Sequence, residues 1–473
     1  MKRLLALAAL ALCQACVDFH EAEKQYCMHH LDVCGIQQGA HVQDGHPFAA
    51  NLSGISADPY APVPPIATGQ VQLVYDDQSQ SFAWSWSIPA FTPTSVVLVD
   101  ARGNQLTTLP TPTGYEGMPP ATAQLLLDGL ATAVATSPAG DVIAGPVAPP
   151  GRERLLAALS GWEAVPPHPG GPLAYVALTA DFSAQTAHVG IQSDLPGGTY
   201  SVGQAWPAFS GSDVLQIPGP GADIALPPQL INDLSIGHLY VVRKADIGGG
   251  NLEIRGQLLA PGAALYVVTL TGSQAVPPNA TAGVVGQGMM ISSADRTSVT
   301  STFSVAGANN VNFSASPAGV EPAQAWSLST GLSGVAVPPV VATGLPRRTA
   351  YVEVPGVARG QFLRPGERIY FATLSGPPPG GTSEHAWMQI VLTAGNTAIV
   401  EGAASLTSGV TGAELHGNGN TLDLGISVRP DGSFGAVVPS VPLLPLLAAS
   451  GASLSVLTTT YPSGEASGGV LTP

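Results

Sequence analysis

One eight-residue turn is written four times along this chain, and the copies are spaced by about the length of a small domain. "GWEAVPPH" occupies residues 161–168 and "GSQAVPPN" residues 272–279. Looser relatives open at Asn51, "NLSGISADPYAPVPP", and at Thr373, "TLSGPPPGGT", the last without the acid. Their glycines, Gly54, Gly161, Gly272 and Gly376, lie about 104 to 111 residues apart. A repeat of that period must be one structural unit, duplicated. A second landmark recurs in the same order: a Pro-initiated apolar segment leading into a strand, at Met118, Leu226, Val337 and, more loosely, Val441. Proline suits the first turn of a helix, where its missing N–H costs nothing, so each segment is read as a short helix followed by a strand. A third landmark closes each unit: "GDVIAGPV" at 140–147, "NLEIRGQL" at 251–258, "GVARGQFL" at 356–363 and "GEASGGVL" at 464–471. Pro-Gly steps at Pro150-Gly151, Pro261-Gly262 and Pro365-Gly366 join the units. Joints this short predict touching neighbours and a semi-rigid array.

Within units the signal is β. Val71, Leu73 and Tyr75 alternate with Gln72 and Val74, and Phe82, Trp84, Trp86 and Ile88 with Ala83, Ser85 and Ser87. Ala187, Val189 and Ile191 do the same, and Val299, Phe303 and Val305 share one face. Period two over short runs with turns between them predicts sandwiches or partly closed barrels. The 56 Gly and 44 Pro argue against a helical protein, and the 45% apolar and 10% charged residues argue against disorder. The fold class expected is all-β: four tandem β-sandwich domains behind a short N-terminal tether. A net charge of −15, with 16 scattered basic residues, predicts no nucleic-acid partner.

The chain opens "MKRLLALAALALCQACVDFHE". Two cations precede an apolar run too short to span a bilayer, which reads as a secretory signal. It resembles a bacterial lipoprotein signal, with Leu12 displaced by Cys13 from the usual place, and implies cleavage before Cys16 and lipidation of Cys16. Of the four cysteines, Cys13, Cys16, Cys27 and Cys34, that leaves Cys27 and Cys34 to close a small disulfide loop in an oxidising compartment. The expected division is a signal peptide at 1–15, a tether at 16–46, and repeats at 47–150, 151–263, 264–366 and 367–473. Localisation is then the cell envelope, with outer-membrane anchoring by lipid alone.

The order of landmarks resembles the chordin-type CHRD domain, whose copies open "L-S-G-x-x-E-V-P-P", pass an "A-H-I-H-G" segment and "L-x-x-G-x-L-Y-V", and close "G-E-I-R-G-Q-L". Residues 159–167, 234–241 and 253–258 carry the likeness best. The resemblance implies an immunoglobulin-like Greek-key sandwich distantly similar to copper/zinc superoxide dismutase, and no established activity. Where the family has His-x-His, the copies here read "SVVLVDA" from Ser95, "VGQAWPA" from Val202, "PAQAWSL" from Pro322 and "AELHGNG" from Ala413. Glu414 and His416 are the remaining weak metal candidates, short of the three ligands a catalytic metal usually has. The shared Gln-Ala-Trp is expected to place Trp206 and Trp326 equivalently, and His188 to face solvent. "CMHHLDVC" at 27–34 reads as a disulfide loop with exposed histidines rather than a zinc knuckle. No G-x-S-x-G elbow, P-loop or H-E-x-x-H is present. The expected function is non-catalytic and cofactor-free: binding or architecture in the envelope, with a protein or glycan partner. The rivals are a degenerate dismutase-like Cu/Zn protein and a carbohydrate-binding protein using Trp162 or Trp387.

Overall fold

A computed structural model describes residues 45–471, apart from 55–66, 78, 139–141, 165–172, 196, 205–211, 236, 248–249, 275–282, 294–295, 306–309, 315–325, 330–331, 337–338, 377–385, 394–395, 405–408, 431 and 465. Cys16, Cys27, Cys34 and the signal and tether segments up to residue 44 lie outside the described residues; Gly45 and His46, expected in the tether, open the first strand, Gly45–Gly54. The chain is all-β, and every strand pairing is antiparallel and falls within one of four sheet groups.

Each group is a sandwich of two leaves. In the second unit one leaf runs 223–225, 186–193, 174–181, 153–159 and the other 212–217, 199–204, 239–247, 250–257. The first and third units have the same leaves, joined there into continuous eight-stranded sheets; the fourth has a five-stranded and a four-stranded leaf. The inward alternation expected from the sequence is observed. Val71, Leu73, Phe82 and Trp84 are buried, as are Ala187, Val189, Val299 and Phe303. Trp84 packs on Phe82 with ring centroids 5.0 Å apart and donates its indole N–H to the Thr111 carbonyl at 3.0 Å, so its polar end is satisfied inside the core.

The Pro-initiated segments form short helices: α1 (Pro120–Leu127), α2 (Pro228–Ser235), α3 (Pro339–Arg347) and α4 (Leu444–Leu447). The first three end in a left-handed residue that reverses the chain, Gly129 (φ 70), Gly237 (φ 72) and Arg348 (φ 60); after the fourth, the left-handed residue is Gly451 (φ 77), in a separate turn closed by Ala452 N–H on the Ala449 carbonyl. Three of the four are glycine, which tolerates this conformation best. The strand that follows, 132–136, 239–247, 351–354 or 453–458, leads into the closing landmark.

The sandwich closes at the same two points in every unit. The first strand and the end of the chain segment pair at Ala49↔Ala148, Leu156↔Leu259, Val267↔Leu363 and Phe371↔Leu471. They pair again at Ser53↔Ala144, Ser160↔Arg255, Thr271↔Arg359 and Ser375↔Ser467. Between those points sits the glycine of the closing landmark. A Cβ on Gly145, Gly256, Gly360 or Gly468 would lie 2.2, 2.5, 2.4 and 2.1 Å from the carbonyl oxygens of Asn51, Ala158, Thr269 and Thr373. Backbone cannot yield as a flexible side chain can, so only glycine lets the two leaves meet there.

Neighbouring glycines in the last unit test this. Gly468→Ala is expected to lose about 3 kcal/mol or fail to fold. Gly469→Ala, whose Cβ would meet nothing within 4 Å, is expected to stay within about 0.5 kcal/mol of the parent. Urea unfolding of the two variants measures the contrast.

Candidate functional site

The polar chemistry of the described residues gathers where one unit meets the next. At the first joint the second unit's opening strand sends Arg154 back to the helix-end turn of the first. Its Nη1 donates to the carbonyls of Gly129 at 3.3 Å and Ala131 at 3.0 Å, and to Thr132 Oγ1 at 3.1 Å. Arg154 is buried, and burial pulls its guanidinium below the usual arginine range. Around it, Gln192 donates to Asp100 at 2.8 Å and Arg102 pairs with Asp194 at 2.6 Å. Asp100 also accepts from the backbone amides of Arg102 and Asn104, and these hydrogen bonds hold its carboxyl below the usual range against the burial that would raise it.

His188, expected to face solvent, belongs to this joint. Its side chain is only 21% exposed, with Nε2 3.4 Å from Asp128 at the end of α1 and Nδ1 2.9 Å from Asp223. The correction has a simple cause. His188 does point away from its own core, but the face it joins is covered by the preceding unit.

The other joints repeat the placement with different chemistry. Gly129 stands against Thr179, and Gly237 against Ile291, on the second strand of the following unit. Thr179 pairs with Arg154 and Ile291 with Leu265, so the two contacts share one register position. The second joint is apolar, built from Leu265, Met289 and Ile291 with Leu259, Ala263 and Val267. At the third joint Gln389 donates to the carbonyls of Arg347 (3.3 Å) and Arg348 (2.9 Å) at the end of α3. Arg348 in turn makes a bidentate ion pair with Glu367 at 2.6 Å for both bonds, with both side chains at most 5% exposed. That pairing holds the Arg348 guanidinium above its ordinary value against the desolvation that would lower it.

The opening and closing landmarks meet at these joints. Glu163, the acid of "GWEAVPPH", accepts the backbone N–H of Gln257, from "IRGQL", at 3.0 Å. It lines a cavity of about 440 Å³ beside the Pro261-Gly262 step, shared with Arg154, Gln257, Leu259 and Arg364. Two buried atoms in its wall, Arg154 Nε and Gln257 Oε1, have no hydrogen-bond partner in the structure. Burial pushes the Glu163 carboxyl up to about 8, and the Gln257 amide only partly opposes that. The next unit places Gln274, a neutral isostere, at the matching position of its turn, and a cavity of about 480 Å³ beside Pro365-Gly366 is lined by Gln274 and Gln361. The joint thus favours an uncharged side chain there.

The weak metal candidates share one strand, Val410–Gly417. His416 Nε2 lies 3.4 Å from Glu414, and Nδ1 lies 2.9 Å from Thr421. Among the described residues no group of three or more His, Cys, Asp or Glu is arranged so that it could hold a metal ion. The expectation that Trp206 and Trp326 are placed equivalently falls on residues outside the described set. Gln204 ends the strand Thr199–Gln204, whose counterpart in the third unit is Asn310–Ser314, whereas Trp326 begins the next strand out. Register follows the core residues Val202 and Phe313, which pair with Val241 and Val352. Trp387 is half-buried; Trp206 and the side chains of Trp162 and Trp326 fall outside the described set.

Glu163 gives a pH prediction. Its carboxyl titrates near 4.5 when unfolded and near 8 when folded. Below pH 4.5 both states are protonated; above it the unfolded chain gains by ionising first. Stability is therefore expected to fall as pH rises from about 5 to 8, by at most about 5 kcal/mol, and to level off beyond. Glu163→Gln is expected to flatten that stretch of the stability–pH curve and to be more stable than the parent at pH 8, read by denaturant unfolding at successive pH values.

No family model matches the chain, and neither the curated proteins nor the solved structures hold a match to it.

Proposed function

We propose that this chain is a non-catalytic envelope lipoprotein whose β-units form a braced array that carries a binding surface away from a membrane. The observation that carries this reading is the joints. Three times, a helix-end turn of one unit is seated on the first leaf of the next, through carbonyl hydrogen bonds, an apolar cluster or a buried ion pair. A chain whose buried polar groups serve to fix neighbours at set positions is suited to architecture. The lipid anchor at Cys16, the Cys27–Cys34 loop and the CHRD-type assignment of the repeats belong to the same proposal and rest on the sequence motifs. The partner is a protein or glycan of the envelope met by loops and edge strands.

Labelling cells with a clickable fatty acid tests the anchor. The parent chain is expected to take up label and to sediment with membranes, and Cys16→Ser to do neither. A pull-down of the mature protein from its own envelope fraction is expected to enrich one partner in stoichiometric amount. Stoichiometric copper or zinc in the purified protein would instead support the dismutase-like rival.

A further inference from the structure

The joints also say what the outer surface of the last unit is built to hold. In the first three units the left-handed turn after the helix is covered by the next unit. A Cβ on Gly129 would lie 2.3 Å from Thr179, and one on Gly237 would lie 2.6 Å from Ile291. Arg348, the third, is 4% exposed. The left-handed residue of the fourth unit, Gly451, stands one residue before Ala452, the acceptor of its closing-strand amide, where the other three stand two before theirs; it is exposed, and its Cβ would meet nothing within 4 Å among the described residues. Beside it stands Leu471, which closes the fourth sandwich through Phe371 as Leu259 closes the second through Leu156. Leu259 packs into the apolar cluster of the next unit, and Leu363, the third of the set, lines the third joint. Leu471 is 55% exposed. The fourth unit therefore presents a left-handed turn beside a leucine at the place of Leu259 and Leu363 (Ala148 in the first unit), and no described residue is seated on it.

The matching half is on the first unit. Its first leaf presents the outer face on which, in the other three units, a preceding helix-end turn sits. Pairing registers fix the correspondence. Ala49 pairs with Gln72 where Phe371 pairs with Gln389, and Pro47 pairs with Val74 where Leu265 pairs with Ile291. Pro47 is exposed, and Gln72 and Val74 are half-buried. Gln72 thus holds the register place of Gln389, the residue whose amide donates to the carbonyls of Arg347 and Arg348. Counted from Ala350 and Ala452, whose carbonyls accept the closing-strand amides of Phe362 and Val470, those two carbonyls correspond to Ala449 and Ser450.

From these two half-joints we propose that the chain associates head to tail with a second copy of itself, the Gly451 turn and Leu471 of one copy seated on Gln72 and Val74 of the next. The occupant is another copy because the two surfaces stand where the halves of a contact that this chain already makes three times stand in the other units. The contact is heterologous, so each bound copy leaves both halves available at the ends and growth continues unless the rotation closes a ring. The inference goes beyond the envelope reading and stands on joint geometry alone; its failure would leave that reading intact.

Complementary blocking tests it. Sedimentation velocity of the purified chain is expected to show a mass average that at least doubles as concentration rises. Leu471→Asp spoils one half and Val74→Arg the other, so each variant alone is expected to stay at the mass of a single chain. Mixed, they are expected to form a one-to-one complex that grows no further, because each retains the half the other lacks. Tyr461→Asp removes another exposed apolar side chain, beyond the far end of the strand Ser453–Thr458 from Gly451, and is expected to assemble as the parent does. Thermal unfolding of all three variants checks that they fold. A parent chain of single mass at every concentration, a mixture without the one-to-one species, or equal loss of assembly in Tyr461→Asp would overturn the proposal.

Discussion

Two strands cross at van der Waals contact in each unit, and everything else is arranged around that crossing. A sandwich buries its inner faces only if its leaves are brought together along at least one seam. Here the seam is the first strand against the last, and the main chains run so close that a methyl group would overlap a carbonyl oxygen. Four glycines meet the requirement in four places. The same economy of volume recurs inside the leaves, where Gly114, Gly203, Gly288 and Gly402 lie directly across from Trp84, Tyr240, Phe303 and Phe434 and are covered by those rings. Much of the glycine content is therefore a packing property of the strands, beyond the turns where glycine is usually sought.

From the seam the joints follow. Because the closing strand ends beside the helix-end turn, each unit offers both at one end, and the next unit's first leaf receives them. The reception is chemically different each time: guanidinium on carbonyls, aliphatic on aliphatic, and amide with a buried ion pair. A buried pair such as Arg348–Glu367 is weak evidence of net stability, since desolvating both charges offsets much of their attraction. Its value lies in geometry, because a bidentate pair accepts one arrangement.

The inner structure was legible in the sequence because period-two alternation and core burial are the same fact seen twice. Val71, Leu73 and Tyr75 alternate for the reason that they are inside. The helices were legible from proline at their first turn. The landmarks were visible as motifs, but that Glu163 and Gln257, 94 residues apart, would bond to each other was not, since no local pattern encodes a contact between distant turns. The outer faces were the least legible. Arg154, His188 and Gln389 are polar residues on the non-core side of strands, which reads as solvent in a single unit. Only the presence of a neighbour turns that face inward.

The unlike chemistry of the three joints has a consequence for biogenesis. Tandem units of similar sequence emerging one after another are prone to dock on the wrong sibling, a common trap for repeat proteins. If all three contacts were interchangeable, the third unit's helix-end turn would fit the second unit's leaf as well as the fourth's. As built, seating Arg348 on the leaf that carries Arg154 would bring two buried cations together, and seating the Gly129 turn on Ile291 would leave its carbonyls facing aliphatic carbon. Each mismatch is penalised by a different force, so the order of assembly is written into the contacts themselves, as discrimination by repulsion rather than by tighter binding of the right neighbour.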